Sequence, residues 1–235
     1  MYPERTYRNL VSTEKLATFQ VVVKETDLLV HADKNLKDET RELVLEQRDY
    51  VEAYINAHPD FATALTPWRL NGPAPTIVAD MVKAGENAAV GPMAAIAGAV
   101  AEHAGIGLLK STDEVIVENG GDVFIKTATP LTVGIFAGQS PLSLRIGIRL
   151  SGGPTPMGVC TSSGTVGHSL SLGKADAVCV VAESCAIADA AATAIGNLVQ
   201  SIADIEFAIA RGKCIDKIRG VIIIVAEKMG IWGDL

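Results

Sequence analysis

The chain has no cysteine pair spaced to clasp a metal or to run a redox cycle. Its four cysteines, Cys160, Cys179, Cys185 and Cys214, contain no C-x-x-C, and all but Cys214 fall in apolar runs, where a reduced thiol behaves as a small hydrophobe. That pattern excludes a disulfide scaffold and a thiolate zinc site, and it suits a cytoplasmic protein. Clustered positive charge is missing as well. The 20 lysines and arginines are scattered and outnumbered by 27 acids, for a net charge of -7. Binding a phosphate backbone needs concentrated positive charge, so nucleic acid is not an expected partner. No apolar run is long enough to cross a bilayer, which takes about 20 residues. The stretch 88–109 is interrupted by Glu102 and His103, and 220–226 is too short. Residues 1–10 are polar and basic, without the apolar centre of a signal peptide. Internal repeats and convincing linkers are lacking too. A chain of 235 residues can bury one substantial core. The expectation is a soluble, membrane-free, single-domain protein over residues 1–235.

What is present begins with two Val- and Leu-rich runs, 19–24 and 27–31, which read as a hairpin. Residues 35–58 carry near-helical apolar spacing, with acids at the start and Gln47 as a polar interruption. The tract 59–75, with Pro59, Pro67, Pro73 and Pro75, reads as an ordered loop, either a surface connector or a lid. Residues 76–85 have helical spacing, and Gly85 is placed to cap it. Gly91-Pro92 opens a further helix over 93–103, small and apolar on nearly every side. Its free first-turn amides would either face an anion or simply start a helix. Strand character then takes over at 114–118, 123–127, 131–136 and 144–150, the last with Arg145 and Arg149 on one face. Residues 157–161 and 176–182 read as strands around a polar loop, and 220–226 as a fully apolar strand placed centrally in its sheet. After Ser184, a fitting N-cap, comes an alanine-rich helix over 185–200, followed by helical spacing at 202–211. The fold class predicted is α+β, a mostly antiparallel sheet of locally connected strands packed with helices.

Two groups of residues carry chemistry. Asn119-Gly120-Gly121-Asp122 breaks the strand pattern, and paired glycines let a backbone approach a ligand or take positive φ beside a carboxylate. Such a triplet also forms plain turns. Asp189 and Thr193, four apart on the alanine-rich helix, project two oxygens from one face within reach of one hard cation. An alanine-rich helix that merely packs tightly on a sheet would look the same.

In their order these elements resemble the ApbE-like superfamily of flavin transferases. The matching residues are Gly120-Gly121-Asp122, then Thr161-Ser162-Ser163-Gly164, then Ala188-Asp189-Ala190-Ala191-Ala192-Thr193. V-G-P-M-A-A-I-A-G-A, E-N-G-G-D and S-L-S-L-G-K-A-D-A look more closely like a shorter branch of uncharacterised proteins grouped with that superfamily. The resemblance spans roughly residues 75–200 and implies an ApbE-like, T-fold-like domain. It implies magnesium held by Asp189 and Thr193. It further implies FAD or another nucleotide lined by Gly120, Gly121, Asp122, Thr161, Ser162, Ser163 and Gly164, and FMN transfer to a threonine of an acceptor protein. His168, whose ordinary pKa suits proton transfer, is the candidate catalytic base; a structural hydrogen bond is the other reading. In place of the H-x-x-D-P-x-T-G tract of the transferases stands Gly167-His168-Ser169-Leu170-Ser171-Leu172-Gly173-Lys174. A non-catalytic binder of flavin or nucleotide is the rival reading. A serine hydrolase using Ser162 or Ser163 with His168 lacks both a G-x-S-x-G elbow and an acid partner. A homo-oligomer is expected.

Overall fold

Alternating burial builds the frame. The computed structural model describes residues 16–166 and 171–235. Strands Ala17–Val23 (β1) and Thr26–Ala32 (β2) form a hairpin. Three helices follow, Lys37–Ala57 (α1), Thr76–Ala88 (α2) and Ile96–Leu108 (α3). Then come Val115–Asn119 (β3), Asp122–Lys126 (β4), Leu131–Gly134 (β5), Gly147–Leu150 (β6), Met157–Ser162 (β7) and Ala177–Ala182 (β8). Helices Cys185–Asn197 (α4) and Ile205–Gly212 (α5) precede a last hairpin, Ile218–Val225 (β9) and Lys228–Gly233 (β10). The eight-stranded sheet has the order β1-β2-β3-β4-β7-β8-β9-β10, and each neighbouring pair is antiparallel. An α+β fold with a locally connected antiparallel sheet is what the patterning predicts.

Period-two alternation sends each strand's residues to two separate cores. Leu28, Val30, Val117, Phe124, Cys160, Val180 and Ile223 face the helices. Ile116, Ile125, Val159, Cys179, Val181, Ile222 and Ile224 face the other way, where Ile135, Ile148 and Leu150 cover them. The sequence pattern places 131–136 and 144–150 in the main sheet. They pair instead as a separate β5-β6 ribbon, because the second face of the sheet is apolar and must be covered. The apolar strand β9 is buried as expected but is not central: it is the last strand but one, between β8 and the edge strand β10. Its two faces are covered by helices on one side and the second core on the other.

Helix ends differ from the sequence reading in two places. Gly85 does not cap α2, which continues to Ala88 and ends on Ala89 in the left-handed region (φ 58°). Gly85 sits inside the helix because a Cβ there would lie 2.8 Å from the Val90 carbonyl oxygen. The helix after Gly91 opens as a 3-10 turn, Pro92–Ala95, and α3 proper runs on to Leu108. Gln47 is no interruption: it lies on the buried stripe of α1 with Thr40, Val44, Val51 and Tyr54. Among the described residues no single helix is long and apolar enough to cross a membrane.

Candidate functional site

The helix-facing ends of β3, β4 and β7 meet the start of α3 and one stripe of α4. Strand parity decides which side chains arrive there. Asp122 shares its face with Phe124, and Asn119 shares its face with Val115 and Val117, so both point to the helices. Asn119 Nδ2 donates to the Ala97 carbonyl at 3.1 Å, which ties the glycine turn to α3. Gly121 has no room for a side chain, since a Cβ would lie 2.5 Å from the Thr161 carbonyl oxygen. The Thr161 N–H donates to the Gly121 carbonyl at 2.9 Å. Gly120 takes φ 71°, a value that favours glycine.

On α4, Asp189, Thr193 and Gly196 recur at helical spacing and share one stripe. At one end of it the Gly98 N–H donates to Asp189 Oδ2 at 2.9 Å, and the Ala97 amide reaches the same carboxylate. At the other end a Cβ on Gly196 would lie 3.7 Å from Ser162 Oγ. Thr193 stands between these ends, half-buried. Close approach of α3 and α4 requires Gly98, where a Cβ would lie 2.4 Å from the Cys185 carbonyl oxygen.

The two helices cap each other. Glu102 of α3 accepts the Ser184 hydroxyl at 2.7 Å and the Ala186 N–H at 3.0 Å. Ser184 itself accepts the Ile187 N–H at 3.4 Å and is the N-cap expected from sequence. Asp189 does the corresponding work at the first turn of α3. Each carboxylate meets the positive end of the other helix.

Electrostatically the two capping sites part company, because Asp189 also feels Asp122. Burial, and after it the like charge of Asp122, hold the Asp189 carboxyl well above the usual carboxylate range; the Gly98 and Ala97 amides pull the other way. Among the described residues no lysine or arginine is found acting on Asp189. Beneath it lie Cys160 and Cys185, Sγ to Sγ 3.4 Å. Burial pushes the Cys185 thiol up to about 11, and Cys160 well above its ordinary value. Both are therefore protonated packing residues at neutral pH and not ligands.

Of the residues singled out by sequence, Gly120, Gly121, Asp122, Ser162, Asp189 and Thr193 come together here. Thr161 is a correction. Its parity with Met157 and Val159 puts its side chain on the opposite face of the sheet, where it hydrogen-bonds the Cys179 thiol, so its hydroxyl turns away from the site and mainly its backbone borders the glycine turn. Ser163 Oγ accepts the Thr165 and Val166 amides at 3.1 and 2.9 Å and so organises its own loop. Gly164 lets that loop close, as its N–H donates to the Ala175 carbonyl and a Cβ would strike the Gly173 carbonyl oxygen. His168 lies outside the described residues. Asn119 was marked only as part of the glycine turn, and Glu102, Ala97 and Gly98 were missed as site residues by the sequence reading; the small, apolar pattern of α3 marks it as buried and says nothing of which partner its amides meet.

The donors gathered are all oxygens: the Asp122 and Asp189 carboxylates and the Thr193 and Ser162 hydroxyls. That set fits a hard divalent cation such as magnesium. Among the described residues no three His, Cys, Asp or Glu side chains cluster as a cage, so a cation here would complete its shell with water and ligand oxygens. A solvent-open depression of about 580 Å³, lined by Asp33, Lys34 and residues 109–113, lies at the opposite end of β3 and shares no residue with this site.

Comparison with known proteins matches this architecture to flavin transferases. The chain resembles the Thermotoga maritima ApbE protein, with a TM-score of 0.58 and 14% identity over 92% of this chain and 96% of that one. It also resembles the apo flavinyl transferase ApbE of Pseudomonas stutzeri, with a TM-score of 0.55 and 15% identity over 93% and 94%. At such identity the likeness defines the fold: this is an ApbE-like α+β protein. The family model for AbpE bacteria matches residues 8–219, and the chain belongs to that family. Among its relatives are UPF0280 proteins of Methanocaldococcus jannaschii (41% identical over 224 residues) and Methanococcus aeolicus (40% over 229), each match covering 92% of this chain and 90% of the relative.

Proposed function

We propose that this chain binds FAD, or another nucleotide diphosphate, together with magnesium at the helix-facing end of β3, β4 and β7, as a relative of flavin transferases. The observation that carries the reading is the placement of Asp189, held by the first-turn amides of α3, against the like charge of Asp122. Two carboxylates held close together, Asp122 buried and Asp189 half-buried, repel, and a divalent ion beside them would offset that repulsion. Asp189 and Thr193 would hold the metal, with Asp122 completing the charged side. When bound, magnesium would supply a Lewis acid to the diphosphate oxygens as the phosphoanhydride is cleaved in FMN transfer to an acceptor threonine. Gly120 and Gly121 keep the turn free of side chains so that a ligand can lie against backbone. The Ser162 hydroxyl, at the far end of the α4 stripe, is placed to donate to a phosphate oxygen. His168 is the base we assign to take the acceptor hydroxyl's proton.

Calorimetry with FAD, FMN and ATP, with and without magnesium, on wild type and Asp189→Asn tests this. Magnesium should tighten binding of the diphosphate ligands in wild type and leave the variant unmoved. Affinities that ignore both metal and substitution would end the proposal. Binding without transfer is a second reading, favoured by residues 167–174 standing where transferases have H-x-x-D-P-x-T-G. Magnesium-dependent retention of FAD with no FMN appearing on a threonine-bearing acceptor would establish it.

A further inference from the structure

The eight-stranded sheet ends on two strands of different character. On β1 the exposed row is Thr18, Gln20 and Val22, with Gln20 donating to Asp27 at 2.7 Å. On β10 the exposed row is Met229 and Ile231, 39% and 52% exposed. These two stand in register with Ile224 and Ile222 of β9 and so carry the second core's apolar face out to the edge. The β9-β10 hairpin turns through two residues, Ala226 and Glu227, so Val225 and Lys228 form the hydrogen-bonded pair that closes it. By the alternation of antiparallel ladders, Lys228, Gly230 and Trp232 bond to β9, and the amides and carbonyls of Met229 and Ile231 point away from the sheet. Among the described residues β10 pairs only with β9, and such an edge with an apolar row is a template for another strand.

We infer that β10 pairs antiparallel with β10 of a second copy of this chain, about a two-fold axis at Ile231. An outward-pointing residue must face an outward-pointing residue, which leaves few registers. The one centred on Ile231 is also complementary. It sets the long Met229 opposite the side-chain-free Gly233, and it sets Gly230 opposite Trp232. A Cβ on Gly230 would strike Ile205, and Ile209 would lie at 2.8 Å; the partner's indole would rest beside these residues of α5. It brings Lys228 of each copy to the strand end that carries Asp234 of the other, a charge match repeated at both ends. The contact is isologous and uses up the edge, so it closes as a dimer and does not propagate.

Sedimentation of the full chain and site-directed crosslinking test this. Wild type is expected at twice the monomer mass, and Ile231→Lys, which sets two like charges on the axis, at monomer mass with an unchanged far-UV spectrum. Because a destabilised variant could also dissociate, single cysteines are placed in a Cys214→Ala background, the Cys214 thiol being exposed. Across the axis the two Ile231 positions would be hydrogen-bonded partners about 5.5 Å apart at Cα, within disulfide reach. Under oxidised glutathione Ile231→Cys should yield a covalent dimer, and Met229→Cys roughly tenfold less, its Cα lying beyond about 7 Å from its counterpart. A monomeric wild type overturns the inference, as does equal crosslinking from both positions or a dimer untouched by Ile231→Lys.

Discussion

Replacing Gly98 with alanine sets two principles against each other at the centre of the site. In a helix interior alanine is favoured over glycine by about 1 kcal/mol, so Gly98→Ala would stabilise α3 if nothing else touched it. The added methyl, however, would sit 2.4 Å from the Cys185 carbonyl oxygen, 2.8 Å from Asp189 Cβ and 2.8 Å from the Cys185 carbonyl carbon. Overpacking costs about 1–3 kcal/mol. Two of the obstructing atoms are backbone of α4 and cannot swing aside, which places the cost at the upper end. The net loss is then about 2 kcal/mol, a melting temperature lower by about 4–8 °C for a chain of this length. The same displacement lengthens the 2.9 Å bond from Gly98 N–H to Asp189, so any magnesium-induced rise in melting temperature should shrink with it. Thermal unfolding by circular dichroism, with and without magnesium, reads both. Gly153→Ala is the control, since nothing lies within 4 Å of a Cβ there; it should melt at or slightly above the wild-type temperature. A Gly98→Ala protein as stable as wild type would show that α3 and α4 are not in the tight contact described, and the placement of Asp189 would fall with it.

Asp189→Asn should raise the melting temperature of the metal-free protein at pH 7. Because the folded-state pKa of Asp189 lies above its ordinary 3.8, the fold holds a proton between those two values that the unfolded chain has released, and above both it carries a charge that burial and Asp122 disfavour. Its contribution is complete below that ordinary value and is lost as pH rises toward the folded value, at about 1.4 kcal/mol for each pH unit between the two. Asparagine still accepts from Gly98 without the charge, so a variant melting below metal-free wild type would contradict the account. His31 gives the opposite slope. Burial holds its pKa below the ordinary 6.5, so the unfolded chain takes up a proton that the fold refuses, and stability should decline as pH falls from 6.5 toward the folded value, by at most about 1.4 kcal/mol per pH unit. His31→Gln should flatten that limb in denaturant titrations from pH 7 to 5; an unchanged slope would assign it elsewhere.

The strands and helices were legible where a period was clean. Phe19, Val21 and Val23 alternate with exposed neighbours just as the two-residue repeat requires, and Ser184 announces the start of α4 by its hydroxyl alone. What failed is what depends on a partner outside the element's own periodic pattern. Gly85 looks like a cap and is a contact with the Val90 carbonyl. The β5-β6 ribbon carries the same alternation as the sheet it covers, and no local signal separates the two. β10 escaped notice because Gly230 and Gly233 interrupt its pattern, the first to admit Ile205 and the second to turn at φ 105°. Thr161 shows the limit for the site: an ordered motif places it beside Ser162, yet adjacent strand residues point to opposite faces.

Capping alone does not account for Asp189. An asparagine at that position, of the same shape, would accept the Gly98 amide without repelling Asp122. Glu102 illustrates capping between the same two helices, taking a hydroxyl and an amide from the start of α4. At Asp189 the equivalent bond comes with a like charge nearby and with burial, both acting against the ionised form. The negative charge is therefore surplus to holding α3 against α4, and it sits beside a turn whose glycines leave backbone bare. A fold that only needed the helices joined would be more stable without it, which is why the sign of the Asp189→Asn effect in metal-free protein, followed by its loss of response to magnesium, separates a structural carboxylate from one kept for a cation.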